Sequence, residues 1–360
     1  MKKDKILFIT GARPNLVKLS PIYNFFKKKN YFNIDFLHTN QHSEKTLYLN
    51  QLKDLKLPVP KNLIKKKKFN SDIEMISYLM REVYFSLKKI KPQYVVIFGD
   101  VDSTLAAALS ASKLYIPIIH IESGLRSKFM SSKEEINRRI IDKVSTFNFA
   151  TTPLSLRNLI NEGLKKNSFY VGNIILENFF NLKKNIYSSK ILNNLNINKN
   201  EYFLVTLHRY QNIDNPIQLK KILSKIKYYL ENYKIVFCIH PRTKKKIKNI
   251  DKKIFKKENL IFVDALAYTD FTKLLLNSKL IITDSGGVLE EAYFHKRTCY
   301  VIRNDIERIE LVNNINTFQI KDINKAVFTI VNKRHKDTKL TKLWDSSVSK
   351  RVFNILKNIL

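Results

Sequence analysis

Residues 280–292 read LIITDSGGVLEEA. An apolar run, Leu280 to Ile282, stops at Thr283-Asp284-Ser285. Two glycines follow, then a helix-like segment carrying Glu290 and Glu291. The chain has only seven glycines in 360 residues, so two together at this point ask for a cause. A buried strand that runs through a glycine turn into a helix presents backbone N–H groups to an anion.

The same grammar recurs along the chain. Apolar, β-branched runs stand at 5–10, 34–39, 94–99, 116–122 and 147–151, and again at 202–208, 234–240, 260–265, 279–284 and 298–303. Most are apolar on both faces, as strands of a covered parallel sheet are. Amphipathic helical patterns lie between them at 71–90, 103–113, 134–145 and 216–231. Such alternation predicts an α/β protein with doubly wound parallel sheets. It appears twice. A first domain is expected over 1–172 and a second over 173–342, with a polar Asn/Lys-rich stretch at 181–202. A terminal helix is expected over 343–360, packing back toward the first domain.

Composition narrows the function classes. There are 65 Lys+Arg against 31 Asp+Glu, a formal charge of +34. The lysines are spread along the whole chain, whereas a nucleic-acid binder concentrates its charge in a patch or stripe. No specific nucleic-acid partner is expected. The densest runs, at 65–68 and 243–259, suit weak association with an anionic membrane surface. No apolar run approaches the ~18 residues of a spanning helix. The apolar part of MKKDKILFIT is too short for a signal peptide core and reads as a first strand, which places the protein in the cytoplasm. Cys238 and Cys299 sit in apolar runs and read as core thiols. The histidines show no metal-ligand spacing, so no metal is expected. GxGxxG and the P-loop pattern are absent.

In an open parallel sheet, ligands bind beyond the C-terminal ends of the strands. There the chain places Gly11-Ala12-Arg13-Pro14 with Lys18 a turn later, Asp100, Glu122-Ser123-Gly124, His208-Arg209, His240-Pro241-Arg242 and Asp284-Ser285-Gly286-Gly287. Turn chemistry alone would account for one such junction, but six carrying charged or imidazole groups indicate a shared site. Arg13, Lys18, His208 and Arg209 are donors suited to phosphate. The Ser285-Gly286-Gly287 turn offers N–H groups at a helix start. Glu291, a turn further, is suited to accept from sugar hydroxyls. Asp100 and Glu122, at the ends of neighbouring strands, would crowd one pocket, which separates their protonation and suits acid/base work. Glu134 and Glu135 open a helix, where acids also simply complement the dipole. His208 and His240 retain capping or core roles as alternatives.

Taken in order, GARPNLVKLSPI, TNQH, FGDVDSTLAAALSASKLYIPIIHIESGLRS, EEINRR, VTLHRYQNID, HPRT and TDSGGVLEEA with RNDIERIE resemble the non-hydrolysing UDP-N-acetylglucosamine 2-epimerases. The resemblance covers roughly residues 5–330. It implies two Rossmann-like domains in a glycosyltransferase-B-like arrangement with the active site in the interdomain cleft. It further implies a homodimer and no redox cofactor. The implied reaction eliminates UDP from a UDP-sugar with loss of the C2 proton, then adds UDP back with protonation on the opposite face, supplying a cell-surface polysaccharide precursor. The matching catalytic residues are Asp100, Glu122, Glu134 and His208. Matching substrate contacts are Arg13, Lys18, Gln41, Ser285, Gly286, Gly287, Glu291 and Arg308, with Phe271 near the uracil. Arg209 and His240 match positions tied to an allosteric UDP-sugar in some members. The chain departs from the family pattern at Asn15, where Glu is common, at Leu289, where Gln is usual, and in the loop before Glu134. Two enzyme alternatives share the fold. One is 2-epimerisation of UDP-2,3-diacetamido-2,3-dideoxyglucuronate, with the basic loop at 126–133 taking the uronate carboxylate. The other is glycosyl transfer, which needs no C2 base.

Overall fold

A computed structural model describes residues 3–40, 45–65, 67–127, 130, 132–239, 241–250, 253, 258–303, 306–312, 317–319 and 342–360. Its chain forms two compact units, residues 1–182 with 341–360 and residues 183–340.

The first unit is built on seven parallel strands: β1 (Lys5–Thr10), β2 (Asn33–His38), β3 (Asn62–Leu63), β4 (Tyr94–Phe98), β5 (Ile118–Ser123), β6 (Phe147–Ala150) and β7 (Ser168–Tyr170). Their order is β3-β2-β1-β4-β5-β6-β7. The order reverses between β1 and β4, so the loops leaving those strands diverge and open a crevice at their C-terminal ends. The connections are α1 (Arg13–Lys29), α2 (Lys45–Asp54), α3 (Asp72–Ile90), α4 (Asp102–Ser112), α5 (Lys133–Val144) and α6 (Pro153–Asn161). One face of the sheet is covered by α3 and α4. Leu79, Val83 and Leu87 of α3 pack with Ala106, Ala107, Ala108 and Ala111 of α4, over Leu7, Val95 and Ile97. The alanines let the two helices approach closely. At the end of α1, Lys27, Lys28 and Lys29 face the negative end of the helix dipole, and Asn30 closes the helix in the left-handed conformation.

The chain passes to the second unit through α7 (Ile174–Ser188) and the short α8 (Ile191–Asn194). Six parallel strands follow: β8 (Tyr202–Leu207), β9 (Lys234–Ile239), β10 (Leu260–Val263), β11 (Leu280–Thr283), β12 (Cys299–Val301) and β13 (Thr317–Gln319). Their order, β10-β9-β8-β11-β12-β13, repeats the first unit's winding, with the reversal between β8 and β11. The helices are α9 (Tyr210–Ile213), α10 (Pro216–Tyr229), α11 (Pro241–Ile250), α12 (Tyr268–Asn277) and α13 (Gly286–Phe294). Cys238 and Cys299 are unpaired thiols within β9 and β12.

The last helix, α14 (Val348–Ile359), returns to the first unit. Its Phe353 meets Phe25, Phe26 and Phe32 edge-on, with centroids 5.2–5.7 Å apart. Its start is fixed by Glu177 of α7, whose carboxylate accepts from Ser349 N (2.7 Å) and Ser349 Oγ (2.9 Å). Just ahead, Trp344 Nε1 donates to the Thr151 carbonyl at 2.8 Å.

The ten apolar runs all form strands, with ends within one or two residues of those expected. Among the described residues, no helix is long and apolar enough to cross a membrane.

Candidate active site

In the first unit the expected residues collect around Gly99, where β4 ends. Gly99 has φ +63°, and a Cβ there would lie 2.8 Å from Lys18 Nζ and 3.7 Å from Glu122 Oε2. The position therefore needs glycine both for its backbone and for room. Lys18, on α1, is buried and ion-paired with the Glu122 carboxylate. Glu122 is itself buried and holds φ +71°, at an irregularity between Ile121 and Ser123 where β5 slips against β6. A glutamate in the left-handed region is strained, and such strain concentrates at functional sites. The bulge turns its side chain out of the strand's alternation.

Asp100 follows Gly99 directly. Arg138 of α5 grips its carboxylate through Nε and Nη2, both at 2.7 Å. Arg138 is only 2% exposed and gives Nη1 to Glu135 at 2.8 Å. Glu135 is fully buried and also accepts from Arg139 Nε (2.8 Å) and Ser127 N (2.9 Å). Asn137 Nδ2 bonds the Asp100 carbonyl at 2.9 Å. Of the two adjacent glutamates, then, Glu135 turns inward to the arginine that orients Asp100. Glu134 stays half-buried in the first turn.

The turn leaving β1 is braced by Asn15. Its Oδ1 accepts from Ala12 N (2.9 Å) and Gly11 N (3.3 Å), and its Nδ2 donates to the Phe98 carbonyl at 3.0 Å. That carbonyl end of β4 is thereby tied to the loop that presents Arg13, which is half-buried.

The second unit repeats the pattern at its own strand reversal. Asp284, fully buried at the end of β11, accepts from His208 N (3.1 Å), Arg209 N (2.9 Å) and Asn212 Nδ2 (3.0 Å). Its Oδ1 lies 3.0 Å from His208 Nδ1. Burial alone would raise the Asp284 carboxyl, but the charge and hydrogen bonds of His208 and the other donors hold it below the ordinary value. The His208 side chain is 49% exposed. With Nδ1 directed to Asp284, Nε2 is the nitrogen left to meet a ligand.

Ser285 caps α13 by accepting from Val288 N, and Gly286 and Gly287 form the helix's first turn. A Cβ on Gly286 would sit 2.5 Å from Arg308 Nη1. Arg308 is buried and bonds Glu290 through Nε. The guanidinium thus lies against the helix start, where backbone N–H groups and a cation together favour a phosphate. Glu307 gathers further arginines: Arg303 in two bonds of 2.6 and 2.7 Å, and Arg209 at 3.6 Å. Glu291 accepts from Thr272 Oγ1 at 3.4 Å, and burial with the neighbouring Glu290 charge pushes it up to about 8. Phe271 is half-buried on α12. Leu289 is in the core. Gln41 and His240 lie outside the described residues. Among the described residues, no group of three or more His, Cys, Asp or Glu could hold a metal ion.

Sequence reasoning missed Arg138 altogether; it placed Asp284 at the ligand edge and Glu135 at a helix start, but not as the partners of His208 and of Arg138. The available signals were the adjacent acids of EEINRR and the position of Asp284 at a strand end beside His208.

A pair of Rossmann-type sheets, one edged by carboxylates and the other by a helix start with arginines, defines a nucleotide-sugar enzyme class. The family model described as UDP-N-acetylglucosamine 2-epimerase matches residues 24–357, and the chain belongs to that family. A UDP-N-acetylglucosamine 2-epimerase of Methanocaldococcus jannaschii is 38% identical, over 92% of this chain and 93% of the relative. The crystal structure of the M. jannaschii enzyme with UDP-GlcNAc and UDP is similar with a TM-score of 0.91 at 34% identity, covering 98% of this chain and 99% of that one. A UDP-2,3-diacetamido-2,3-dideoxy-D-glucuronate 2-epimerase of Pseudomonas aeruginosa is 32% identical over 86% of each chain.

Proposed function

We propose that this chain interconverts UDP-N-acetylglucosamine and UDP-N-acetylmannosamine, a non-hydrolysing 2-epimerisation that feeds cell-surface polysaccharide synthesis. A carboxylate removes the C2 proton, the C1–O bond breaks, and UDP leaves an enclosed glycal. A proton then reaches C2 from the opposite face while a diphosphate oxygen re-forms the bond to C1. Asp100, Glu122 and Glu134 share the proton transfers, and Lys18 balances the Glu122 charge. His208 donates to the departing diphosphate through Nε2. Ser285, Gly286, Gly287, Arg13 and Arg308 bind the diphosphate, Glu291 the ribose and Phe271 the uracil. Gln41 contributes a sugar contact, and Arg209 and His240 belong to a second, regulatory UDP-sugar site.

The observation that carries the proposal is the meeting of two turns, Gly99-Asp100 and the strained Glu122, at one lysine. Removing a proton from carbon and returning it on the opposite face calls for oriented acid/base groups, a role two carboxyls can fill, and glycosyl transfer does not. The diacetamido-uronate alternative draws on the P. aeruginosa relative. Within the 126–133 loop, however, Arg126 is committed to Asp142 and Glu162, at 2.7 and 2.6 Å. Lys133 pairs with Asp72. Both cations thus have carboxylate partners of their own, and Lys128 of the same loop lies outside the described residues.

Proton NMR with UDP-N-acetylglucosamine in deuterated water tests the proposal. The manno epimer with deuterium at C2 is expected. No exchange with this sugar, but exchange with the diacetamido uronate, would replace it with the alternative. The enzyme is further proposed to act in the cytoplasm as a homodimer, for light scattering to check. Its association with anionic vesicles is proposed to be weak and salt-sensitive.

A further inference from the structure

Behind the Gly99-Asp100 and Glu122 turns lies a histidine that the proposed reaction does not use. His120 of β5 is fully buried. Its Nδ1 lies 2.7 Å from Asp142 Oδ1, and its Nε2 lies 3.0 Å from the Gly99 carbonyl. A carbonyl oxygen can only accept, so Nε2 carries a proton. The other Asp142 oxygen accepts from Gly124 N (3.1 Å) and Arg126 Nη1 (2.7 Å). Burial would raise this carboxyl, but its hydrogen bonds from His120 and Arg126 hold it below the ordinary value.

We propose that the His120–Asp142 pair is the positioning device for the acid/base residues. The pair reaches both turns at once. His120 holds the Gly99 carbonyl, one peptide before Asp100, while Ile121 O accepts from Gly99 N at 3.0 Å. Asp142 holds Gly124 N, just past Glu122. The Gly124 carbonyl accepts from Asn158 Nδ2 at 2.9 Å. The contacts continue from His120 through Asp142 and Arg126 to Glu162, with Arg139 meeting Glu162 at 3.3 Å. On β6, Asn148 Nδ2 bonds the Asp142 carbonyl. A buried polar network satisfied on every side rigidifies what it touches, whereas one left half-satisfied is costly. Here the touched elements are the backbones that fix Asp100 and Glu122, and the left-handed conformation of Glu122 needs outside support.

The role proposed for the pair in catalysis rests on the epimerase reading, but its chemistry can be tested without it. The first measurement is ring 15N NMR of the full chain labelled in histidine, with His120 identified by its loss in H120Q. A proton on Nε2, the nitrogen that faces the Gly99 carbonyl, is expected. A ring protonated on Nδ1 alone would overturn the hold on Gly99. The second measurement is Asp142→Asn, which keeps the shape and removes the anion. It should lower the rate of C2 exchange about a hundredfold, the cost of a small misplacement of reacting groups, with KM little changed. Amide hydrogen exchange at Gly99 and Gly124 should rise. An unchanged rate, or a loss confined to KM, would overturn the positioning role. If the wild type exchanges no C2 proton, the epimerase reading fails. The ring signal and the two amides then still decide whether the pair holds both turns.

Discussion

The Arg138 guanidinium spans two carboxylates, with Nε 2.7 Å from Asp100 and Nη1 2.8 Å from Glu135. This geometry gives Asp100 one fixed orientation while leaving it partly open to solvent, as a group that meets substrate must be. Asp100→Asn preserves the shape and removes the base. It should abolish C2 exchange and leave UDP binding within a few-fold of wild type by calorimetry. Near-normal exchange would remove Asp100 from proton transfer. Arg138→Leu should behave differently, since it takes one of two arginine partners from the buried Glu135, which keeps Arg139 and Ser127 N. Complete loss of a buried partner costs roughly 3–5 kcal/mol, and this partial loss should cost less, so the variant should show a lowered denaturation midpoint as well as lost activity.

His208 and Asp284 form the second unit's counterpart. His208→Ala should reduce turnover by about a hundredfold or more if the imidazole protonates or stabilises the leaving diphosphate. The substitution also takes the imidazole from the buried Asp284 carboxylate, so a lowered denaturation midpoint is expected beside the slower turnover. An unchanged rate of UDP release in single-turnover experiments would return His208 to the role of a loop cap.

Gly286→Ala isolates the phosphate site from the fold. The added methyl would sit 2.5 Å from Arg308 Nη1 and displace it. UDP affinity should fall about tenfold or more, the scale of one charge-assisted hydrogen bond, and the thermal midpoint should hold. Calorimetric titration with UDP reads this directly. Wild-type affinity in the variant would show that Arg308 does not contact the diphosphate.

Two buried glutamates set the pH response of stability above pH 6.5. Glu291 is pushed up to about 8 and Glu177 to about 7, both mainly by burial, from an ordinary value of 4.5. Above pH 4.5 the unfolded chain gives up these protons while the folded chain keeps them, so this contribution to unfolding free energy falls as pH rises. His38 and His295, held down to about 4 by burial, work the other way up to pH 6.5, where the unfolded chain binds their protons and the folded chain does not. The net loss should therefore show between pH 6.5 and about 8, on the order of a few kcal/mol. Urea melts across that range should show the slope, and Glu291→Gln should flatten its upper part. A flat profile there in the wild type would show that neither carboxyl is held neutral.

Much of this was legible in the order of residue types. Apolar runs ending in Asp100, Glu122, His208 and Asp284-Ser285-Gly286 announce parallel strands and the edge where ligands bind. Strands of two or three residues, such as Asn62–Leu63 and Thr317–Gln319, carry too little periodicity to register. The groups that orient the site were hidden for another reason. Arg138 stands 38 residues from Asp100, and Asp284 stands 76 from His208. Only the strand order brings them together, and a local pattern does not encode that order. The positive φ of Glu122 was equally unreadable, since no glycine marks it.

Asn15 offers the sharpest test of how this chain departs from its family pattern. Its amide serves two opposite needs. Oδ1 accepts from the first N–H groups of the β1–α1 turn, as a helix cap does, while Nδ2 donates to the Phe98 carbonyl at 3.0 Å. A carboxylate could do the first and not the second. Asn15→Asp would set two acceptors against each other in a buried place, an unsatisfied pairing that costs about 1–3 kcal/mol, offset in part by the helix dipole. A lower urea midpoint is expected. The loop that carries Arg13 should also loosen, raising KM more than it lowers kcat. Because the aspartate can take up a proton and restore the donor, the variant should recover stability at low pH relative to wild type. Equal midpoints at neutral pH would show that the Phe98 contact contributes nothing, and that the turn is held by its cap alone.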